Sequence, residues 1–167
     1  MDKLSKQLLK KTFPAQNDAA QPTATAQPGQ WSVADHWSTA VLLERAAHLH
    51  KLAHNGDGSA GETLKEYPRH CAMLSFRSRN GQAEIHENFA DVFYVLDGHA
   101  TLVTGGTVAD AVSTAPGETR GSSVVGGIRQ ELRAGDVAHV PAGLPHQMLV
   151  AGEQTVTCLV MKVQENL

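Results

Sequence analysis

A histidine, a carboxamide and a carboxylate able to serve a metal ion, His86, Asn88 and Asp91, fall together in Glu84-Ile85-His86-Glu87-Asn88-Phe89-Ala90-Asp91. Successive side chains of a strand point to opposite faces, so Glu84, His86 and Asn88 share one face. A bend at Phe89-Ala90 follows. Asp91, Phe93 and Val95 then form a matching set on the next strand, which the turn glycine Gly98 closes. A histidine, a carboxamide and a carboxylate can thus converge across a tight connection. Imidazole nitrogen and carboxylate oxygen suit Fe(II), Mn(II) or Zn(II), and a partial set leaves open positions for substrate or oxygen.

A second stretch, Gly135-Asp136-Val137-Ala138-His139-Val140-Pro141-Ala142-Gly143-Leu144-Pro145-His146, adds another histidine. Its Gly135, Pro141, Gly143 and His146 stand at the spacing G-x5-P-x-G-x2-H. Together the two stretches resemble the paired motifs of the cupin superfamily, G-x5-H-x-H-x3,4-E-x6-G and G-x5-P-x-G-x2-H-x3-N. The second motif is met except at its last position, where Val150 replaces Asn. In the first, His86 and Gly98 match, Asn88 stands at the second His and Asp91 at the Glu. Only two residues separate Asn88 from Asp91, and Gly81 is one residue too near His86.

The resemblance covers about residues 63–163. It implies a mainly β fold, a single cupin-type β-barrel (double-stranded β-helix or jelly roll) with an N-terminal helix and a flexible arm. It also implies a divalent metal ion (Fe, Mn or Zn) held by His86, Asp91 and His146 in the barrel mouth. Asn88 would bind weakly, through water, or orient substrate. Phe93 and Met148 share parity with the ligands and would wall the pocket. His139, two residues before Pro141, would line that pocket or lie on the outer face. Arg120 is a candidate clamp for an anionic substrate.

Two functional readings follow from the resemblance. One is a metal-dependent enzyme acting on a small organic substrate, with dioxygenase, isomerase and lyase chemistry all compatible. The other is a non-catalytic barrel that binds or senses a small molecule without a full metal site. A purely structural role is disfavoured, because buried polar groups are costly to keep unused. Cupin barrels commonly dimerise, so a homodimer is expected, with the N-terminal arm and the Trp31–Trp37 segment as natural contacts.

The elements that must position these residues are legible in outline. Residues 1–30 are rich in Gln, Ala, Thr and Pro and read as a flexible arm. Residues 31–62 form a helical extension: Ser38 or Thr39 caps it, Leu42, Ala46, Leu49 and Leu52 recur at helical spacing, and Asn55-Gly56 stops it. His50 and His54 are four apart on that helix, but structural or solvent-facing roles are expected. Residues 63–167 form the barrel, with strands expected at Thr63–Tyr67, Cys71–Phe76, Ala83–Gly98, His99–Thr104, Ile128–Leu132, Asp136–Val140, His146–Val150 and Thr155–Val163. Residues 107–127 read as a long small-residue loop carrying Glu118 and Arg120.

Composition narrows the classes further. The chain has 167 residues, 14 Lys+Arg against 17 Asp+Glu and a net charge of −3, with no basic block, so no nucleic-acid partner is expected. No apolar run is long enough for a membrane helix, and the N-terminus lacks the apolar core of a signal peptide. The default location is the cytoplasm, with an exported protein shown without its leader as the alternative. The two cysteines, Cys71 and Cys158, are expected to be buried free thiols.

Overall fold

A capped helix and two linked antiparallel sheets position the site. The computed structural model describes residues 33–165, so the arm expected over 1–30 and Trp31 lie outside the described residues. Residues from Trp37 onward form one unit. Helix α1 (Thr39–His54) starts at Ser38, whose side chain accepts from the Val41 amide at 3.3 Å, satisfying an otherwise orphan donor. Leu42, Ala46, Leu49 and Ala53 are its buried residues. Leu52, expected in that stripe, is 45% exposed, because the helical period brings Ala53 beneath Leu49.

Strand labels follow chain order. In the first sheet β1 (Ser59–Glu66), β2 (His70–Arg77), β12 (Val156–Gln164) and the first half of β4 (Phe89–Thr104) pair in that order, all antiparallel. The short β10 (Val137–Val140) pairs with the other edge of β4. In the second sheet the latter half of β4 lies between β9 (Ile128–Arg133) and β11 (His146–Leu149). Beyond β11 come β3 (Ala83–His86), β7 (Glu118–Gly121) and β6 (Val112–Ala115). The remaining strands, β5 (Thr107–Ala109) and β8 (Ser123–Val125), pair with each other.

The expected break at Gly98 is absent. β4 runs through it as a single strand and belongs to both sheets. Gly98 has φ +77°, and a Cβ there would lie 2.0 Å from the Thr155 carbonyl oxygen. Only glycine fits so close a backbone approach. An irregularity in the β4–β12 pairing at Leu96 adds to the bend, and the strand leaves one sheet for the other. The segment expected as a loop over 107–127 is also strand, β5 to β8. Its small-residue composition hides pairings that depend on partners distant in sequence.

Alternation assigns the two faces of the first sheet. Met73, Ser75 and Arg77 of β2 and Val156, Cys158, Val160 and Lys162 of β12 line the interior cavity. Their neighbours Leu74, Phe76 and Leu159 face outward and pack beneath α1 with Leu42, Ala46 and Leu49. His50 of α1 lays its ring against Phe76, centroids 4.9 Å apart. The inner core is apolar around Val95, Leu102, Val140 and Val160. Burying a leucine such as Leu74, fully enclosed here, is worth about 2 kcal/mol. Both cysteines are free, Cys158 buried and Cys71 half-buried. Among the described residues no helix is long and apolar enough to cross a membrane.

Candidate metal centre

Four side chains meet at the cavity wall, which Glu84, Asp91 and His146 line directly. Glu84 and His86 come from β3, Asp91 from the start of β4 and His146 from the start of β11, and their nearest donor atoms all lie within 4.8 Å of one another. His86 Nε2 is 3.2 Å from Glu84 Oε2 and 3.5 Å from Asp91 Oδ2. His146 Nε2 is 3.9 Å and 3.6 Å from the same two oxygens. His86, Asp91 and His146 are each at most 4% exposed.

The outward contacts of each ring decide which nitrogen faces the centre. His146 Nδ1 donates to the Leu144 carbonyl at 3.1 Å, since a carbonyl can only accept. His86 Nδ1 donates to Glu118 Oε2 at 2.7 Å. With each Nδ1 engaged as a donor, Nε2 is the nitrogen that each ring turns toward the carboxylates, and the one that would bind an ion once it gives up its proton. Both Nε2 atoms are buried without a hydrogen bond; the nearby oxygens fail its geometry despite their proximity. Phe93 packs edge-on against the His146 ring, centroids 6.3 Å apart.

A layer of charge surrounds the four. Lys162 Nζ is 2.6 Å from Asp91 Oδ1, which leaves Oδ2 toward the histidines. Arg120 pairs with Glu84 Oε1 and lies 3.7 Å from Glu118, while Arg77 approaches Glu84 Oε1 at 3.7 Å. Burial pushes the Glu84 carboxyl up, but His86, Arg120, His146 and Arg77 outweigh it and bring the pKa to about 2. Asp91 follows the same pattern: burial raises it, and His146, His86 and Lys162 hold it well below the usual carboxylate range. Burial alone would lower His86; Asp91 and Glu84 reverse that and raise it to about 9. Cys158, on the cavity wall, is pushed up to about 12 by burial and stays a neutral thiol.

The donor set fits a divalent ion. Ligand atoms about 2.1 Å from one ion are separated by about 3.0 Å at right angles and about 3.4 Å at tetrahedral angles. The histidine–carboxylate contacts of 3.2–3.9 Å overlap that range and run beyond it, within a group whose ligand atoms all lie inside 4.8 Å. Two buried nitrogens without hydrogen-bond partners beside two ionised oxygens make a centre that an ion would complete.

The expected site residues divide clearly. His86, Asp91 and His146 are brought together, Phe93 and Met148 wall the cavity, and Arg120 reaches it from β7. Asn88 does not join them. β3 ends at His86, Asn88 falls exposed in the turn that follows, and its side chain lies beside Gly117. His139 is also outside the group. It is opposite Val92, its neighbour Val140 is the buried one, and its ring is exposed near Glu165, 3.6 Å away.

Glu84 is the residue that sequence reasoning passed over as a ligand, although the shared face of β3 already pointed to it. Placing Glu84 at the first His of the cupin pattern restores its spacing, Glu84-x-His86-x4-Asp91-x6-Gly98. The two-residue shift also removes the shortened connection. Glu118 was noted only as a loop charge, because its pairing opposite His86 is visible only once β7 is placed.

No protein-family model matches the chain, and no curated protein matches it. Among solved structures it is similar to TT1209 from Thermus thermophilus, at 19% identity and TM-score 0.52, covering 74% of this chain and 95% of that one. It is similar to an uncharacterized conserved protein with a double-stranded beta-helix domain from Klebsiella pneumoniae, at 16% identity and TM-score 0.48, covering 65% and 78%. The cupin domain of Cnp3 from Schizosaccharomyces pombe gives 14% identity and TM-score 0.48, covering 64% and 65%. At 19% identity and TM-score 0.52 the likeness to TT1209 is one of fold. An antiparallel sheet curled through a shared β4, with its polar group at the cavity wall, gives this chain a cupin fold with an N-terminal helix.

Proposed function

We propose that this chain is a metal-dependent cupin enzyme acting on a small organic substrate, with Glu84, His86, Asp91 and His146 as ligands. One observation carries the reading: two buried Nε2 atoms, each with its ring's Nδ1 committed elsewhere, face two ionised carboxylate oxygens. Nitrogen and oxygen donors without a thiolate favour Fe(II), Mn(II) or Zn(II). Bound there, such an ion supplies Lewis acidity and, for iron or manganese, redox chemistry with oxygen. The chain's own groups do the remaining work. Glu118 holds the His86 Nδ1 proton, and Lys162 and Arg120 each neutralise one carboxylate oxygen. The walls formed by Phe93, Met148 and Val160 keep the reacting region apolar. Among the expected chemistries, dioxygenase, isomerase and lyase, none requires a side-chain nucleophile here.

The competing reading is a barrel that binds a small molecule without metal. The ion pairs of Lys162 with Asp91 and of Arg120 with Glu84 favour it, since they already compensate much of the buried charge. Elemental mass spectrometry on protein purified without an affinity-metal column separates the two. Near-stoichiometric metal, lost in His86→Ala and His146→Ala, is expected. No metal under any supply condition would leave the binding barrel. The homodimer belongs to the same proposal and is measured by light scattering of the eluted peak.

A further inference from the structure

The cations on the cavity wall are unequally matched by the carboxylates around them. Arg77, Arg120 and Lys162 line it against Glu84 and Asp91. Lys162 is tied closely to Asp91, and Arg120 is engaged by both Glu84 and Glu118. Arg77 stands apart. Its ion pair with Glu84 is long, at 3.7 Å, and reaches an oxygen that Arg120 already holds.

Arg77 is nevertheless firmly seated. It closes the inward series Met73, Ser75, Arg77 of β2, and its guanidinium lies against Gly81. A Cβ on Gly81 would stand 3.0 Å from Arg77 Nη1 and 3.1 Å from Cζ. The Gly81 backbone itself is fixed. Its amide donates to the Met148 carbonyl at 2.8 Å, and its carbonyl accepts from Gln147 Nε2 at 2.8 Å. A planar fork of donors is thus held at the cavity wall, and its ion pair with Glu84 is a long one. Its geometry matches a carboxylate, which can take two parallel hydrogen bonds.

The rest of the wall limits what carries that carboxylate. Met73, Phe93, Met148, Val156 and Val160 present apolar surface, and the cavity volume is about 220 Å³. A bare inorganic anion would leave this surface unused, and a volume of about 220 Å³ suits a small skeleton. We infer that the cavity binds a small organic carboxylate, its anionic end on Arg77 and its carbon skeleton against Met73, Phe93, Met148 and Val160. This names a substrate class for the proposed metal centre, and it rests on that reading for the cavity's role as a ligand site.

The test uses the full chain, metal-free and Zn(II)-supplied, in NMR titrations with straight-chain monocarboxylates from acetate to hexanoate. Each acid is compared with the amide of the same skeleton, inorganic phosphate serves as the bare anion, and metal content is measured on every sample. At least one acid is expected to bind about tenfold or more tightly than its amide, as a charge-assisted pair requires. Arg77→Gln should remove that preference, and Arg77→Lys should keep part of it. If Arg77→Gln does not fold, Gly81→Ala, whose Cβ would crowd the guanidinium at 3.0–3.1 Å and push it by a few tenths of an ångström, should weaken the preference in the same direction. Acids and amides binding alike, a preference untouched in the variants, or phosphate binding with no acid preferred would each overturn the inference. Metal without acid preference sinks the carboxylate alone; acid preference without metal sinks the metal centre and leaves Arg77's role standing.

Discussion

His86 Nδ1 lies 2.7 Å from Glu118 Oε2, a contact between β3 and a residue 32 positions later on β7. The two residues are direct cross-strand partners, so the contact follows from the register. It selects the tautomer of His86 and points Nε2 at Glu84 and Asp91. Glu118→Gln is therefore expected to lower metal affinity by roughly 10- to 100-fold. Chelator competition measures it. Unchanged affinity would show that the strand alone holds the ring.

Glu84 and Asn88 sit on opposite sides of a decision about the ligand set. Glu84→Gln should sharply reduce bound metal, because it removes one of the two anionic ligands. Asn88→Ala, at an exposed turn, should leave metal content unchanged. Elemental analysis of the two variants side by side reads the outcome, and the reverse pattern would restore Asn88 to the centre.

The metal-free protein should show a pH signature of its charged cluster. His86 is raised from 6.5 to about 9, so its stabilising contribution is complete below about 6.5 and fades as pH rises through about 9. Glu84 is lowered from 4.5 to about 2, so its contribution is complete above about 4.5 and fades as pH falls through about 2. On these two groups stability is greatest between about pH 4.5 and 6.5. Thermal unfolding of chelator-treated protein from about pH 2 to about pH 9 measures it. The alkaline slope should disappear in His86→Gln; persistence of the slope would assign it to another group.

Gly98 and Gly143 have nearly equal positive φ, +77° and +78°, but different surroundings. At Gly143 nothing lies within 4 Å of an added Cβ, so Gly143→Ala should cost about 1–2 kcal/mol from the backbone alone. At Gly98 the Thr155 carbonyl stands in the way, and Gly98→Ala should cost well above that. Urea unfolding of both variants compares them. Equal losses would mean that β4 and β12 separate easily at the crossover.

Much of the site was legible because strand alternation is local. Glu84 and His86 share a face by parity alone, as do Asp91 and Phe93. The spacing of Gly135, Pro141, Gly143 and His146 marked the second ligand stretch. Asn88 misled for a related reason. Parity carries a side chain to the same face only while the strand lasts, and β3 stops at His86. In α1, Leu42, Ala46 and Leu49 were readable from their period, but Ala53 rather than Leu52 completes the face, since hydrophobicity does not fix angle.

The amino-acid order by itself determined the capped helix, the run of short strands and three of the four residues that converge at the centre. These depend on neighbours a few positions away. The tertiary structure decided how far each strand runs, because β4 passes through Gly98 only where β12, β9 and β11 supply partners. It also decided that Glu84 completes the group and that Arg77, Arg120, Glu118 and Lys162 surround it. Those charges come from three strands, β2, β7 and β12, which join around β3, and no local pattern can report an encounter between segments so far apart in the chain.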